Sequence, residues 1–323
     1  MKKILIIHTG GTISMTEDKK TGTVKPEDQN PLHTITSTLQ SLANIIVVEL
    51  FHLPSPHITP KEMLQLKQEI ERRVVQDKIE GAVITHGTDT LEETAYFLDL
   101  TITSDIPIVL TGAMRSSNEL GADGPYNLIS SVRVAANDSA KGKGVLVVLN
   151  DEIHTAKNVT KTHTSNVATF QSPQYGPIGS ITKKAVSFHH TPTVRQTYHL
   201  NNITKSVMML KAYAGMDQSI FDAIQCLNVD GLVIEALGQG NLPPATIPGL
   251  INLLKKNVPI VIVSRCFNGF VQDTYNYKGG GKHLKELGVL FSNGLNGQKA
   301  RIKLLVALEI TNDPEMIQEM FLK

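Results

Sequence analysis

The chain has 323 residues and a formal net charge of +1, from 31 basic and 30 acidic side chains. This length predicts about two domains, and a hydrophobic content of 41% is typical of a soluble globular protein. The balanced charge argues against nucleic acid or a membrane surface as a partner, because both require a basic field.

The first residues lack the apolar stretch of a signal peptide. Four apolar residues, Ile4 to Ile7, separate the initial lysines from His8, whereas a signal peptide needs roughly 7–15. No run approaches the roughly 18 apolar residues of a membrane span. We therefore expect a cytoplasmic protein. The two cysteines, Cys226 and Cys266, are far apart in sequence, and we expect both to be buried as small apolar residues.

Two threonine-rich turns are the most informative local feature of the sequence. The turn HTGGT, residues 8–12, follows the apolar run 4–7, and the turn HGTDT, residues 86–90, follows the apolar run 82–84. Each apolar run predicts a buried parallel strand. The turns then lie at the carboxyl ends of strands, which is where open α/β sheets bind ligands.

Strand and helix patterns alternate along the rest of the chain. The long polar stretch 15–31 is interpreted either as a mobile lid or as a solvated loop. Thr59 and Pro60 predict the start of a helix, and Thr90 with Glu93 forms a capping box that predicts Thr90 as a helix cap. The buried stripe of the first helix is predicted at Met63, Leu66, Ile70 and Val74. Further strands are predicted at 106–110, 145–149, 207–210, 231–234 and 259–263, and a last helix is predicted from Asp313-Pro314.

These patterns predict an α/β fold with two domains. The larger N-terminal domain, residues 1–190, is expected to contain a parallel sheet and the threonine turns. The smaller C-terminal α/β domain is predicted at residues 207–323. Between them, at about 191–206, the hydrophobic periodicity is lost, and we predict a linker there.

The glycines and histidines do not have the spacing of nucleotide or metal sites. Gly10-Gly11 lacks the three glycines of the dinucleotide fingerprint and the Gly-Lys-Ser/Thr of a P-loop. None of the eleven histidines forms a pair with the spacing of a helix-borne zinc site. We therefore expect no nucleotide and no metal, and we expect the histidines to be structural or solvated.

Thr12, Thr88, Asp89 and Lys161 form the candidate catalytic set. Amide hydrolysis needs a nucleophile, and a threonine hydroxyl must lose its proton to a base. A lysine amine can serve if burial lowers its pKa, but the nearby Asp89 would favour the charged ammonium. Glycine turns would let backbone N–H groups approach a developing oxyanion. Taken singly, each residue also has a structural interpretation, as a cap or as a solvated charge.

At these motifs the chain resembles the bacterial-type L-asparaginases, the asparaginase/glutaminase family. The resemblance implies an amidohydrolase that converts L-asparagine and water to L-aspartate and ammonia without a cofactor. It also implies a homodimer or homotetramer. The shared motifs are TGGTIS (9–14), HGTDT (86–90), GAMR (112–115), ADGPYNL (122–128), TKT (160–162), ATF (168–170) and QKAR (298–301).

The resemblance also implies a role for each site residue. Thr12 matches the nucleophile of the family, and Lys161 matches its lysine. Thr88 matches the second hydroxyl, and Asp89 matches a carboxylate that binds the substrate ammonium or relays protons. Thr88, Asp89, Ser55 and Ala113 match substrate-binding positions, and Ser55 aligns with a serine that binds the α-carboxylate.

Two departures from the family pattern favour its cytoplasmic type. Many members have a tyrosine in the lid that orients the nucleophile, whereas Val24 is at about that place here. Secreted members supply an acidic residue from the partner subunit, whereas Tyr275 is near that position here. Either another residue replaces the tyrosine, or Thr12 depends more on Lys161.

Three alternatives are open at this stage. The ammonia-producing subunit of a tRNA-dependent amidotransferase resembles the same family, but it usually has an extra N-terminal domain and an obligate partner. A non-catalytic amino-acid sensor would keep the binding site, although loss of a threonine or of the lysine would be expected. Pro56 is where secreted members commonly have glutamine, and we expect weak glutaminase activity. One methylene changes binding by roughly 1–3 kcal/mol.

Overall fold

In this computed structural model the described residues are 1–18, 20–26, 32, 35–193, 195–292 and 294–322. The chain divides into two compact units, Met1–His199 and Leu200–Lys323. The division falls within the segment 191–206. Each unit contains parallel strands and helices, which confirms the predicted fold class.

The strands and helices are numbered here in chain order. The strands of the described residues are β1 (Lys3–His8), β2 (Met15–Glu17), β3 (Val24–Pro26), β4 (Asn44–Glu49), β5 (Gly81–Thr85), β6 (Ile108–Thr111), β7 (Val145–Leu149), β8 (Glu152–Thr155), β9 (Thr160–Lys161), β10 (Phe170–Gln171), β11 (Gly179–Ile181), β12 (Val186–Phe188), β13 (Val207–Lys211), β14 (Gly231–Ala236), β15 (Ile260–Ser264) and β16 (Leu290–Phe291). The α-helices are α1 (Thr36–Leu42), α2 (Pro60–Gln76), α3 (Leu91–Thr101), α4 (Gly124–Ala135), α5 (Ser219–Gln225), α6 (Ile247–Lys255), α7 (Gly281–Glu286), α8 (Gly297–Leu308) and α9 (Pro314–Leu322).

The first unit is built on a mostly parallel sheet. Within the described residues it has eight strands, in the order β12-β11-β8-β7-β6-β5-β1-β4. Neighbours from β7 to β4 are parallel, and β8, β11 and β12 extend the sheet through antiparallel pairs. The strands β1 and β5 are adjacent, with His8 opposite Thr85. Both threonine turns therefore leave the same edge of the sheet.

The sheet is buried on both faces. Ile4 and Ile6 of β1 pack with Val83 of β5 and with Leu128 and Val132 of α4 in one cluster. The residues between them on β1 point to the opposite face, and they are buried as well. Burial on both faces explains why these strands appear in the sequence as continuous apolar runs.

Most predicted strands are confirmed within one or two residues. The predicted strand 106–110 begins later, at Ile108, because Pro107 has no N–H for the ladder, although its carbonyl accepts the N–H of Ala82. The strand β4 is absent from the predictions. It is an edge strand whose residues are partly or fully exposed, so it lacks the continuous apolar run of its neighbours.

The predicted helix starts are confirmed at Pro60 and at Pro314. Thr59 caps α2, and its hydroxyl and backbone are both bonded to Glu62, so this end of the helix is a complete capping box. Three of the four stripe residues are buried. Val74 is the exception and is partly exposed.

The prediction that both cysteines are buried is wrong. Cys226 and Cys266 are exposed. Cys226 follows the last residue of α5 and lies off the buried stripe of that helix, which contains Phe221 and Ile224. Cys266 lies in the loop beyond β15, outside the buried strand. Each cysteine therefore lies just past the end of an element, where the apolar periodicity no longer applies.

The end of the first unit is held against its own core. The N–H of Tyr198 donates to the Leu100 carbonyl, and the Arg195 guanidinium donates to Asp99 and to the Ile102 carbonyl. Burial raises the pKa of Asp99, and the nearby Arg195 opposes that shift. Residues 195–198 of the predicted linker lack hydrophobic periodicity because they form an irregular segment bonded to the last turn of α3.

The second unit has its own parallel sheet, in the order β13-β14-β15-β16 within the described residues. The helix α8 packs against β13, β14 and β15. Across the described part of the chain, no helix is long and apolar enough to cross a membrane.

Candidate active site

The two threonine turns touch each other at their glycines. Gly11 has φ +85°, and a methyl group built on it would overlap the Cα and N of Gly87. Only glycine allows two backbones to approach this closely with such a dihedral angle. The residues that follow these glycines are Thr12 and Thr88. The contact therefore brings the two threonines, 76 positions apart in sequence, to the same edge of the sheet.

The second turn is bonded to the predicted lysine. The Lys161 ammonium donates to Thr88 Oγ1 at 2.9 Å and to Asp89 Oδ1 at 2.7 Å. Thr88 is buried, while 60% of the Asp89 side chain is exposed. Because Lys161 is the donor, the Thr88 oxygen keeps its own hydrogen for a different acceptor. The arrangement is an ion pair at the surface with a buried hydroxyl beneath it.

Ser55 is packed directly against this turn. It begins a short 3₁₀ helix, Ser55–His57, and is buried. Its Oγ accepts the N–H of Asp89 at 3.2 Å, and its carbonyl accepts the hydroxyl of Thr90 at 2.8 Å. A methyl group on Gly87 would lie 2.7 Å from the Ser55 side chain. The Ser55 Oγ therefore lies at the Asp89 backbone N–H, and because it is the acceptor there, this contact does not use its own hydrogen.

The contact of Thr90 corrects the prediction that it acts as a helix cap. Thr90 occupies the N-cap position of α3, but its side chain makes no capping hydrogen bond. The hydroxyl instead donates to Ser55. The capping-box pattern indicated the helix start correctly, but the Thr90 hydroxyl donates to a distant carbonyl instead of accepting a local backbone N–H.

Ala113 lies on the other side of the Thr88 turn. It is buried and follows the strand β6 through Gly112. A methyl group on Gly112 would be 2.6 Å from the His86 carbonyl oxygen and 3.1 Å from the Thr88 Cγ2 atom, so the Gly112 backbone passes close to this turn. The carboxylate of Asp123 accepts the N–H groups of Met114 and Arg115 and so holds the chain beyond Ala113.

The two turn histidines have structural contacts, as expected from the sequence. His86 is buried, with Nδ1 at 2.7 Å from the Gly87 carbonyl and Nε2 at 2.9 Å from the Thr94 hydroxyl. Burial lowers the pKa of His86 to about 4, so the ring is neutral near pH 7. His8 Nδ1 lies 2.7 Å from Thr85 Oγ1. Among the described residues, no group of three or more His, Cys, Asp or Glu side chains could hold a metal ion.

The stretch interpreted as a lid or a loop contains a β-hairpin. After Thr12 the chain forms the 3₁₀ helix Thr12–Ser14 and then the antiparallel pair β2–β3. Val24, the residue at the expected place of the lid tyrosine, lies in β3 and is exposed. Residues 19 and 27–31 of the predicted stretch lie outside the described residues.

A loop beyond Ala113 holds the first strand of this hairpin. The Asn118 side chain accepts the Glu17 N–H and donates to the Glu17 carbonyl, both at 2.8 Å. Ser117 donates to the Met15 carbonyl through its backbone and its hydroxyl. The hairpin that follows Thr12 is therefore attached along one edge.

Glu92 is a residue of this site that sequence reasoning missed. It lies in the first turn of α3 and is only 4% exposed. Its carboxylate accepts the Thr160 hydroxyl and the backbone N–H of Lys161. A charged residue on a helix that is otherwise almost wholly buried was the available signal, but the capping-box pattern involves the neighbouring Glu93 and gave no reason to single out Glu92.

The chain matches two family models over most of its length. The model described as "Asparaginase, N-terminal" matches residues 3–194, and the model described as "Glutaminase/Asparaginase C-terminal domain" matches residues 206–321. "L-asparaginase 2" of Bacillus subtilis is 38% identical, over 99% of this chain and 86% of that protein. A "Probable L-asparaginase" of Deinococcus radiodurans is 40% identical, over 99% of this chain and 97% of that protein. The crystal structure of a "Probable Cytoplasmic L-asparaginase" from Campylobacter jejuni matches with a TM-score of 0.89, at 35% identity over the full length of both chains.

Proposed function

The chain belongs to the asparaginase family of amidohydrolases, and we propose that it hydrolyses L-asparagine to L-aspartate and ammonia with Thr12 as the nucleophile. The main support is the contact of Gly11 with Gly87, which joins the two threonine turns. The bonds from Lys161 to Thr88 and Asp89 complete a set of hydroxyl, amine and carboxylate groups.

The first chemical step forms an ester with the enzyme. The Thr12 oxygen attacks the carbon of the substrate's side-chain amide, and its proton passes to the Thr88–Lys161 pair. The tetrahedral intermediate then collapses, the C–N bond breaks, and the nitrogen leaves as ammonia after receiving a proton. Backbone N–H groups of the glycine turns supply the stabilisation that the oxyanion needs.

The second step returns the enzyme to its starting state. A water molecule attacks the ester carbon and gives one proton to the Thr88–Lys161 pair. The C–O bond to Thr12 then breaks to give L-aspartate, and the pair returns a proton to the Thr12 oxygen. Thr88 orients this water through its oxygen or hydroxyl hydrogen, and Lys161 exchanges protons with Thr88. In the resting structure Lys161 is a donor to both neighbours, so it must release a proton before it can act as a base.

Substrate recognition is assigned to the groups around Asp89. This carboxylate is largely exposed at the mouth of the site and is suited to the α-ammonium of asparagine. The Ser55 hydroxyl, which lies at the Asp89 backbone N–H, is suited to the α-carboxylate. Ala113, the residue after the Gly112 that packs against Thr88, is assigned to the wall of this site. Together these contacts require both charged groups of a free amino acid.

Glutamine is proposed as a weaker second substrate. One of the matched family models covers glutaminases as well as asparaginases. An extra methylene would shift the amide carbon away from Thr12, at a cost of roughly 1–3 kcal/mol. Equal kcat/KM values for the two amides would contradict this part of the proposal.

The proposal also includes a cytoplasmic homo-oligomer. The similarity to a solved relative described as cytoplasmic supports the location, and the family resemblance suggests a dimer or tetramer. Cell fractionation and light scattering after size-exclusion chromatography would test the two statements separately. A periplasmic protein or a stable monomer would contradict them.

The first experiment measures ammonia release from L-asparagine and L-glutamine by the purified protein, with Thr12→Ala and Thr12→Ser alongside. We expect release from asparagine that disappears in the alanine variant and is partly kept in the serine variant, which retains a hydroxyl. Isothermal calorimetry with L-aspartate controls for binding, and Thr12→Ala is expected to bind it still.

Two results would overturn the proposed function. Full activity of Thr12→Ala would mean that Thr12 is not the nucleophile. Binding of asparagine by the intact protein without ammonia release would favour a sensor or a partner-dependent enzyme. A pull-down from the native host would then separate those two alternatives.

A further inference from the structure

The catalytic lysine lies on a strand with little support of its own. Lys161 is in β9, which has two residues and pairs with the equally short β10. Within the described part of the chain these two strands form a separate two-stranded sheet. A ribbon of this size is marginally stable alone. Other contacts must therefore hold Lys161 where its ammonium meets Thr88 and Asp89.

Glu92 provides such a contact at the backbone of the lysine. Its Oε1 accepts the Lys161 N–H at 3.2 Å and the Thr160 hydroxyl at 3.0 Å. Both residues of β9 are thus bound to one carboxylate oxygen that lies 68 and 69 positions away in sequence. This contact joins β9 directly to α3, and it does not depend on the pairing of β9 with β10.

We infer that Glu92 is a positioning residue for Lys161, an inference that rests on the proposed function. The helix that carries Glu92 begins directly after Thr88 and Asp89. One continuous piece of chain therefore holds Lys161 at two points, at its backbone through Glu92 and at its ammonium through the Thr88 turn. Two-point attachment restricts the rotamers of a long, flexible side chain, and this preserves the geometry of proton transfer.

Burial supports this role over simple helix stabilisation. An acidic residue in a first turn interacts favourably with the helix dipole, and it can do so while exposed. Glu92 is buried, which costs free energy unless hydrogen bonds compensate. The neighbouring Glu93 belongs to the same first turn and is only partly buried. Glu93 is therefore a matched control for charge at this end of the helix.

The experiment compares Glu92→Ala, Glu92→Gln and Glu93→Ala with the unmodified protein. For Glu92→Ala we expect kcat to fall about 10–100-fold, because small displacements of a catalytic group have effects of this size. KM should change less than kcat. Glu92→Gln keeps a carbonyl oxygen and should recover most of the activity, and Glu93→Ala should stay within about threefold of the unmodified protein.

Hydrogen exchange gives a readout that does not depend on activity. The Lys161 amide is the hydrogen that Glu92 binds, so peptides covering 157–171 report on the contact directly. We expect about tenfold faster exchange at this amide in Glu92→Ala, with unchanged exchange in β1 and β5. Thr160→Val removes one of the two bonds while keeping the charge, and it should give a smaller change in the same direction.

The outcomes separate the two proposals. Faster exchange with lost kcat supports the positioning role. Unchanged exchange and kcat in folded Glu92→Ala would overturn it, as would an equal loss in Glu93→Ala. If the unmodified protein releases no ammonia, the proposed function fails, whereas the exchange data still decide whether Glu92 holds Lys161. If Glu92→Ala does not fold, Thr160→Val still gives the test, because it removes one of the two bonds to Glu92, and unchanged exchange at the Lys161 amide in that variant would overturn the positioning role.

Discussion

The turns of Thr88 and Thr12 begin alike and continue in different ways. The chain after Thr88 enters α3, a helix of 11 residues that is mostly buried. The chain after Thr12 enters a single 3₁₀ turn and then the hairpin β2–β3, in which residues 15–17 are partly exposed and residues 24 and 25 are exposed. Thr88 is buried and bonded to Lys161, whereas Thr12 is partly exposed.

This difference divides the proposed site into a rigid part and an adjustable part. Thr88, Asp89, Lys161 and Ser55 are joined by hydrogen bonds before any substrate arrives. The position of Thr12 depends on Gly11 on one side and on the attachment of the hairpin on the other. The groups proposed to move protons are therefore preorganised, and the proposed nucleophile is the part most open to adjustment.

The largest effect on kcat is expected from Thr88→Val, which separates the proposed role of Thr88 from that of Thr12. Thr88→Val should lower kcat roughly 10²–10⁴-fold, because it removes the hydroxyl proposed to orient water. Lys161 can still receive the Thr12 proton in the first step, whereas the second step loses the group that orients water, so the ester with Thr12 should accumulate and appear as a mass increase in rapidly quenched samples. Thr101→Val changes another buried threonine and is the control. A Thr88→Val enzyme without detectable ester at any time would contradict the assignment of the second step.

The next effect concerns the contact between the turns. Gly11→Ala should reduce the free energy of unfolding by roughly 2–4 kcal/mol and abolish most activity, because the methyl overlaps Gly87 and φ is positive. Gly22→Ala has a comparable φ of +68°, but the nearest atom is 3.9 Å away. That control should lose only about 1 kcal/mol. Denaturant unfolding and ammonia release would measure both. Equal losses of stability and activity in the two variants would mean that the strain of a positive φ, and not the overlap with Gly87, causes the effect.

The rigid turn should also respond to pH through His86. The pKa of His86 is about 4 in the native protein because of burial, so the unfolded chain binds a proton in the range where the native ring is neutral. The free energy of unfolding should therefore fall as pH is lowered from about 6.5 to about 4, by about 3 kcal/mol in total. Urea unfolding at several pH values would measure it. In His86→Gln the free energy of unfolding should depend less on pH. His189→Gln, an exposed control, should keep the pH dependence of the unmodified protein.

The smallest effect is expected at the hairpin attachment. Asn118→Ala removes two hydrogen bonds to Glu17, worth about 1 kcal/mol each or less at this exposed site. We expect faster hydrogen exchange across residues 15–26 and a rise in KM of roughly 3–10-fold. Asn137→Ala removes a similar side-chain bond to the backbone, at Ser139, and is the control. An unchanged exchange rate in the hairpin would show that Asn118 does not hold it.

Much of the fold could be predicted because its signals are local. The buried strands β1 and β5 are continuous apolar runs, and the start of α2 is a capping box whose partners are three residues apart. Side-chain periodicity and capping act over a few residues, so a single sequence contains them completely. The edge strand β4 and the short β9 lack such periodicity and were missed for that reason.

The chemical inventory of the site could be predicted from residue types and local patterns: two threonine turns at strand ends, a carboxylate and a lysine. The fold brings these groups together through the Gly11–Gly87 contact, through the bonds of Lys161 to Thr88 and Asp89, and through Glu92. It also redirected the Thr90 hydroxyl from a local cap to Ser55. The cause is distance along the chain. These partners are 35–76 residues apart, and their meeting depends on strand order and register, which no local pattern encodes.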